Sequence, residues 1–199
     1  MGLALVYTDG QTPLEEDEKD GILIPTISTR AELGEFEQQN IEEAVQWSLM
    51  RRLFTQAEVL TEVFIKTVHK RMYGNIWSWA GEFRKTDKNI GVDKWMISIE
   101  LKKLLEDVPY WIDNKIFSED EIAIRFKHRI VSIHCFPNGN GRHSRLMADI
   151  LIEKVFGKSV FTWGASNLIR EGDARKAYLK AVKAADVGNY DLLLDFARS

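Results

Sequence analysis

From residue 29 onward, apolar side chains recur at three- and four-residue steps, the spacing that gives a helix one buried face. Leu33, Phe36, Ile41, Ala44, Val45 and Leu49 predict a first helix ending near Arg52, opened by a capping box at Thr29-Arg-Ala-Glu32. Val59, Leu60, Val63, Phe64, Val68 and Met72 predict a second helix over about 55–71, with Gly74 as its stop. Leu101, Leu104, Leu105, Val108 and Trp111 mark a third, which Pro109 kinks or ends. A second capping box, Ser118-Glu-Asp-Glu121, opens a helix running to His134; amphipathic segments follow at about 145–156, 168–185 and 190–197. Two stretches lack this period. Residues 1–27 read as an irregular acidic arm ahead of a single domain over 28–199. Phe83 to Ile97, with turn-formers at Asn89-Ile-Gly91, reads as a small hairpin or extended loop.

The pattern accounts for a mainly α domain, and 45% hydrophobic residues in 199 suffice for one core. Charge divides along the chain. Residues 1–43 carry 11 acidic and 2 basic side chains, against 19 and 25 in the remainder. A basic body suits an anionic ligand, and an acidic head is either solvated or lies across that site. The single cysteine, Cys135, excludes an intramolecular disulfide and points to a reducing, cytoplasmic setting. Apolar runs stay well short of a membrane span. Clustered Lys/Arg with interleaved aromatics is absent, which argues against a nucleic-acid surface.

One segment carries chemistry: His134-Cys-Phe-Pro-Asn-Gly-Asn-Gly-Arg-His-Ser-Arg145. It places a histidine at a helix end, then a loop with two glycines, then a helix beginning near Arg142 with arginines at i and i+3. Glycines let successive N–H groups converge on an anion, and the helix N-terminus adds its positive dipole end. Arg142 and Arg145 share a helix side and can hold two phosphate groups with their planar forks. His134 stands where it can deprotonate an incoming hydroxyl. No Gly-Lys-Ser/Thr closes the loop and no strand precedes it, so it is neither a Walker loop nor a dinucleotide fingerprint.

These residues resemble the Fic motif, His-x-Phe-x-(Asp/Glu)-Gly-Asn-Gly-Arg-x-x-Arg, at every fixed position except the acid. Trp77-Ser-Trp-Ala-Gly-Glu-Phe-Arg84, Lys88-Asn-Ile-Gly91, Arg125-Phe-Lys-His-Arg129 and Phe161-Thr-Trp-Gly164 extend the likeness toward the mobile mystery protein B branch. That branch is encoded beside a helix-turn-helix protein, which the resemblance implies as a regulatory partner. It further implies an all-α Fic fold with a short β-hairpin flap, and transfer of AMP from ATP, with Mg²⁺ or Mn²⁺, to a Tyr, Ser or Thr hydroxyl of a target protein. By position, His134 would be the general base and Phe136 the loop's anchor. Asn138, Gly139, Asn140 and Gly141 would line the nucleotide, Arg142 and Arg145 would neutralise the β- and γ-phosphates, and Asn89, Ile90, Gly91, Val92 and Trp95 would form the target-binding flap.

Asn138 departs from the family pattern. The family's carboxylate there holds the metal, and a carboxamide can ligate a hard cation only without the charge that favours it over water. A non-catalytic nucleotide- or protein-binding module, working with a partner in a toxin–antitoxin-like system, is therefore the alternative to an active transferase. Many Fic proteins also carry a Ser/Thr-x-x-x-Glu-Gly/Asn helix whose glutamate pairs with the second motif arginine. Ser28 to Glu32 fits all but the last residue, with a plain capping box as the competing reading; Glu37 is the second candidate.

Overall fold

The computed structural model describes residues 13–50, 53–165 and 172–199, and every regular element among them is helical. After a four-residue helix α1 (Glu16–Lys19) come α2 (Arg30–Val45), the short α3 (Gln56–Val59) and α4 (Glu62–Tyr73). The long helices α5 (Ile97–Asp113), α6 (Glu119–Ile133) and α7 (Asn140–Ile150) follow, then α8 (Asp173–Asp186) and α9 (Asp191–Arg198). The capping boxes act where the sequence puts them. The Thr29 hydroxyl accepts from Glu32 N–H while the Glu32 carboxylate reaches back to Thr29 N–H, and Ser118 accepts from Glu121 N–H. The expected second helix is two: Leu60 leaves helical geometry, and Thr61 caps a new start by accepting from Phe64 N–H. That break rotates the buried face of α4 to Phe64, Ile65, Val68, His69, Met72 and Tyr73, leaving Val63 three-quarters exposed. Pro109 does not end α5, which runs on to Asp113.

Helices α6 and α7, joined by residues 134–139, pack together at the centre. α5 covers α6, while α2 and α4 pack on each other and α4 on α7; α8 packs with α9, which also meets α6. Phe126, Ile130, Phe136, Met147 and Ile150, all fully buried, form the seam around which the rest closes.

One expectation is corrected. The flap is not a β-hairpin: residues 83–93 form an irregular loop, and no strand occurs among the described residues. The cause is Arg84, whose buried guanidinium binds the carbonyl oxygens of Thr86 and Val92 within the loop and of His134 outside it. Those carbonyls are the groups a hairpin ladder would use, so side-chain capture replaces strand pairing. The described part of the arm, residues 13–27, is docked. Leu14 and Ile27 are buried, Ile22 bridges Trp77, and the nearly buried Glu18 holds Thr86 and Lys88 of the loop. Residues 1–12 and part of the expected 168–185 helix lie outside the described residues.

Candidate functional site

Helix α6 ends when His134 enters the left-handed region, φ 58° and ψ 59°, turning the chain toward the loop. Phe136 drives that loop inward: it is fully buried and stacks on the His69 ring at 3.7 Å. Asn140 then clamps it, its Oδ1 accepting from Phe136 N–H at 2.9 Å and its Nδ2 donating to Phe136 O at 2.7 Å. The Asn140 side chain is thus spent within the loop, and its backbone N–H is what it can offer an anion. His69 Nε2 donates to Asn138 O and its Nδ1 accepts from Gly81 N–H, each at 3.0 Å, which pins the loop to α4.

The α7 N-terminus lies at Gly139, where φ is +79° and a Cβ would stand 2.5 Å from the Tyr73 ring. Only glycine suits that conformation and that approach. From Asn140 to Arg142 the first-turn N–H groups have no acceptor inside the helix, and a Cβ at Gly141 would meet open space. An anion therefore has donors and room at this end of α7.

Around that end stand the titratable groups. His134 is 4% exposed, and burial draws its imidazole down to about 4, a shift that Arg84 and Lys88 reinforce against the Val131 carbonyl. With Nδ1 donating to Val131 O at 3.4 Å, the ring near pH 7 is the neutral tautomer whose basic nitrogen is Nε2. Arg142 Nη1 lies 2.7 Å from Glu37 Oε2, and the Trp77 indole donates to Glu37 Oε1 at 3.1 Å. Burial would disfavour the charge on Arg142, but Glu37 and Tyr73 outweigh it and hold it more firmly protonated. Arg145 lies over the Tyr178 ring, 5.4 Å from its centroid. Cys135 is buried with its thiol pushed up to about 12, so it is no nucleophile.

The two candidate glutamates part company. Glu32 turns onto its own helix start, accepting from the N–H groups of Ser28 and Thr29 and from the Ser28 hydroxyl. Glu37, 2% exposed, meets the first motif arginine, Arg142, rather than the second. For Asn138 the donor set does not suit a protein-held metal ion. Its Oδ1 accepts from Gly139 N–H at 2.7 Å, and no group of three His, Cys, Asp or Glu side chains among the described residues could hold one.

Gly91 comes so close to His134 that a Cβ there would stand 2.6 Å from the histidine's Cβ, and Val92 N–H donates to Ile133 O. Asn89, Ile90 and Gly91 are exposed beside the histidine, and Trp95 is 77% exposed on the next turn. Arg84, Tyr73 and His69 escaped the sequence reading as site residues. Arg84 sits in a stretch that carries the resemblance, whereas Tyr73 and His69 look like any other positions on the buried face of α4.

Residues 59–152, which hold this loop and both helices flanking it, match the model of the Fic/DOC family. That segment belongs to the Fic/DOC family. A 107-residue stretch of the chain is 27% identical to Protein adenylyltransferase Fic of Aedes aegypti, covering 52% of this chain and 21% of that protein. The chain thus spans about a fifth of that curated relative's length. Among solved structures, BepC of Bartonella tribocorum, determined with bound AMPPNP, superposes with a TM-score of 0.67 at 17% identity, over 92% of this chain and 97% of that one. Fic-1 of C. elegans superposes with a TM-score of 0.63 at 20% identity, over 90% and 51%. At these identities the structural likeness establishes the all-helical Fic fold. No helix among the described residues is long and apolar enough to cross a membrane.

Proposed function

We propose that the chain is a Fic-type protein adenylyltransferase: it moves AMP from ATP to a Tyr, Ser or Thr hydroxyl of a target protein and releases pyrophosphate. The observation that carries the reading is the neutral His134 at the head of a loop that leads into the α7 N-terminus, with Arg142 and Arg145 one turn apart on that helix. His134 Nε2 takes the hydroxyl proton as the oxygen bonds to the α-phosphorus. The bond from that phosphorus to the bridging oxygen breaks, and the departing charge falls to the N–H groups of 140–142 and to Arg142 and Arg145. The exposed backbone of Asn89 to Gly91 holds the target by main-chain pairing, with Val92 tied to α6 behind it and Trp95 as a side-chain contact. ATP arrives with Mg²⁺ or Mn²⁺ held chiefly by its phosphates, because Asn138 supplies no charge. The cytoplasm is the proposed setting and a helix-turn-helix protein the proposed partner.

Glu37 is the proposed restraint, since its bond to Arg142 occupies a fork the phosphates need. With Asn138, that bond favours a second reading, a nucleotide- or protein-binding module released or used by a partner. Incubation with α-labelled ATP and cell lysate, in Mg²⁺ or Mn²⁺, separates the two. Label on protein that depends on His134 supports transfer; tight ATP binding with no label supports the module.

A further inference from the structure

Behind Arg145 lies a cluster the transfer scheme does not use. Lys127, from the middle of α6, is fully buried with no carboxylate on its Nζ; it lies over the Tyr178 ring, 4.7 Å from the centroid, and burial lowers its pKa while the Tyr178 phenol works against that shift. Arg145 approaches the same ring at 5.4 Å. The charges therefore form a row: Arg142 over the Tyr73 ring at 5.1 Å, Arg145 next on the same helix face, then Tyr178 and Lys127. Glu37 answers only the outer end. The carboxyls nearest the inner end are committed elsewhere, Asp149 to Trp163 Nε1 and Phe161 N–H, and Asp186 to His128. Burial also pushes Asp149 up to about 7, so near neutrality it offers only part of a charge.

A buried ammonium with only an aromatic ring and its phenol for company is costly to hold charged. An apolar side chain of similar length would make the resting protein more stable, which leaves the charge available to an anion that binds. We infer that Lys127 is a positioning residue for the candidate nucleotide site: its charge behind Arg145, which no carboxylate contacts and which Tyr178 spaces from the arginine, makes the site favour ligands with a terminal phosphate. The inference rests on the proposed nucleotide site and adds what selects the triphosphate. The Tyr178 phenol registers this field. Burial alone would raise it, yet Lys127 and Arg145 draw it down to about 8.

The test is calorimetric titration of the full chain with AMP, ADP and a non-hydrolysable ATP analogue, in the wild type and in Lys127→Met and Lys127→Arg, each also with Glu37→Gly. Lys127→Met is expected to weaken the triphosphate about tenfold or more, the worth of one charge-assisted contact, and AMP less than about twofold. It should also raise the melting temperature, because an unpaired buried charge is gone. Lys127→Arg should keep the preference. Equal loss for all three nucleotides, or a lowered melting temperature with Lys127→Met, makes Lys127 structural and overturns the inference. So does an unchanged ratio of triphosphate to AMP affinity, which leaves the nucleotide site itself standing. Failure of the wild type and Glu37→Gly to bind any nucleotide removes both.

Discussion

Glu37 of α2 and Arg142 of α7, 105 residues apart, meet at 2.7 Å with little exposure on either side. Under the proposed function the pair occupies the guanidinium that would turn toward phosphate, so binding and restraint would compete for one fork. Glu37→Gln should raise ATP affinity and self-labelling about tenfold, equivalent to roughly 1.4 kcal/mol. The same variant should melt lower without nucleotide, because Arg142 is left buried and unpaired, and regain stability with ATP. Glu32→Gly serves as the comparison: it loosens the start of α2 but leaves labelling unchanged. Labelling raised by Glu32→Gly and not by Glu37→Gln would exchange the two assignments.

His134→Ala is expected to abolish transfer while leaving ATP affinity within about twofold, since a base acts on the hydroxyl and not on the triphosphate. Arg142→Ala or Arg145→Ala should instead weaken nucleotide binding. Single-turnover labelling alongside calorimetry reads both effects. Transfer at the wild-type rate in His134→Ala would eliminate the proposed mechanism.

Asn138→Asp adds a charge beside the site and releases Gly139 N–H from a neutral acceptor to an ionised one. Both Mg²⁺-dependent ATP affinity and any transfer rate should rise together. Equal Mg²⁺·ATP affinity in the two proteins would place residue 138 away from the metal.

Gly91→Ala tests the contact between loop and base. A Cβ at 2.6 Å from the His134 Cβ, on a backbone with φ +102°, forces either the loop or the histidine to move. Transfer should fall by an order of magnitude or more while ATP affinity holds. Unaltered transfer in a variant of normal melting temperature would show that the loop does not set the position of His134.

Acid should destabilise the domain through its buried histidines. His134 and His143 are both drawn down by burial to about 4, against an unfolded value near 6.5. Between those values the unfolded chain binds protons that the folded one refuses. The rings therefore contribute stability that rises with pH across the window from about 4 to 6.5 and is lost as pH falls through it, by about 3 kcal/mol for each ring at the lower end; Asp149, raised by burial to about 7, acts in the opposite sense between about 7 and 3.8 and offsets roughly one ring. Denaturant midpoints measured from pH 7 to 4 in the Asp149→Asn background, where the opposing carboxyl is gone, check the slope, and a flat profile there would mean that the rings protonate freely when folded.

Local chemistry was legible in the order of residues. Thr29 with Glu32 and Ser118 with Glu121 start helices because their partners are three residues away. The apolar period yields a mainly helical domain for the same reason, and His134 through Arg145 reads as a candidate anion site because a helix end, glycines and forked cations lie within one loop. What the tertiary structure alone decided involves partners far off in the chain. Glu37 rather than Glu32 faces the motif because α2 crosses α4 beside the α7 N-terminus, and helical period cannot report which turn lands there. The flap is a loop because Arg84 spends its guanidinium on His134, fifty residues on, as well as on its own loop. Lys127 reads as one more charge on an amphipathic helix until α7 and α8 close over it, and only burial, which removes water's answer to its charge, makes it informative.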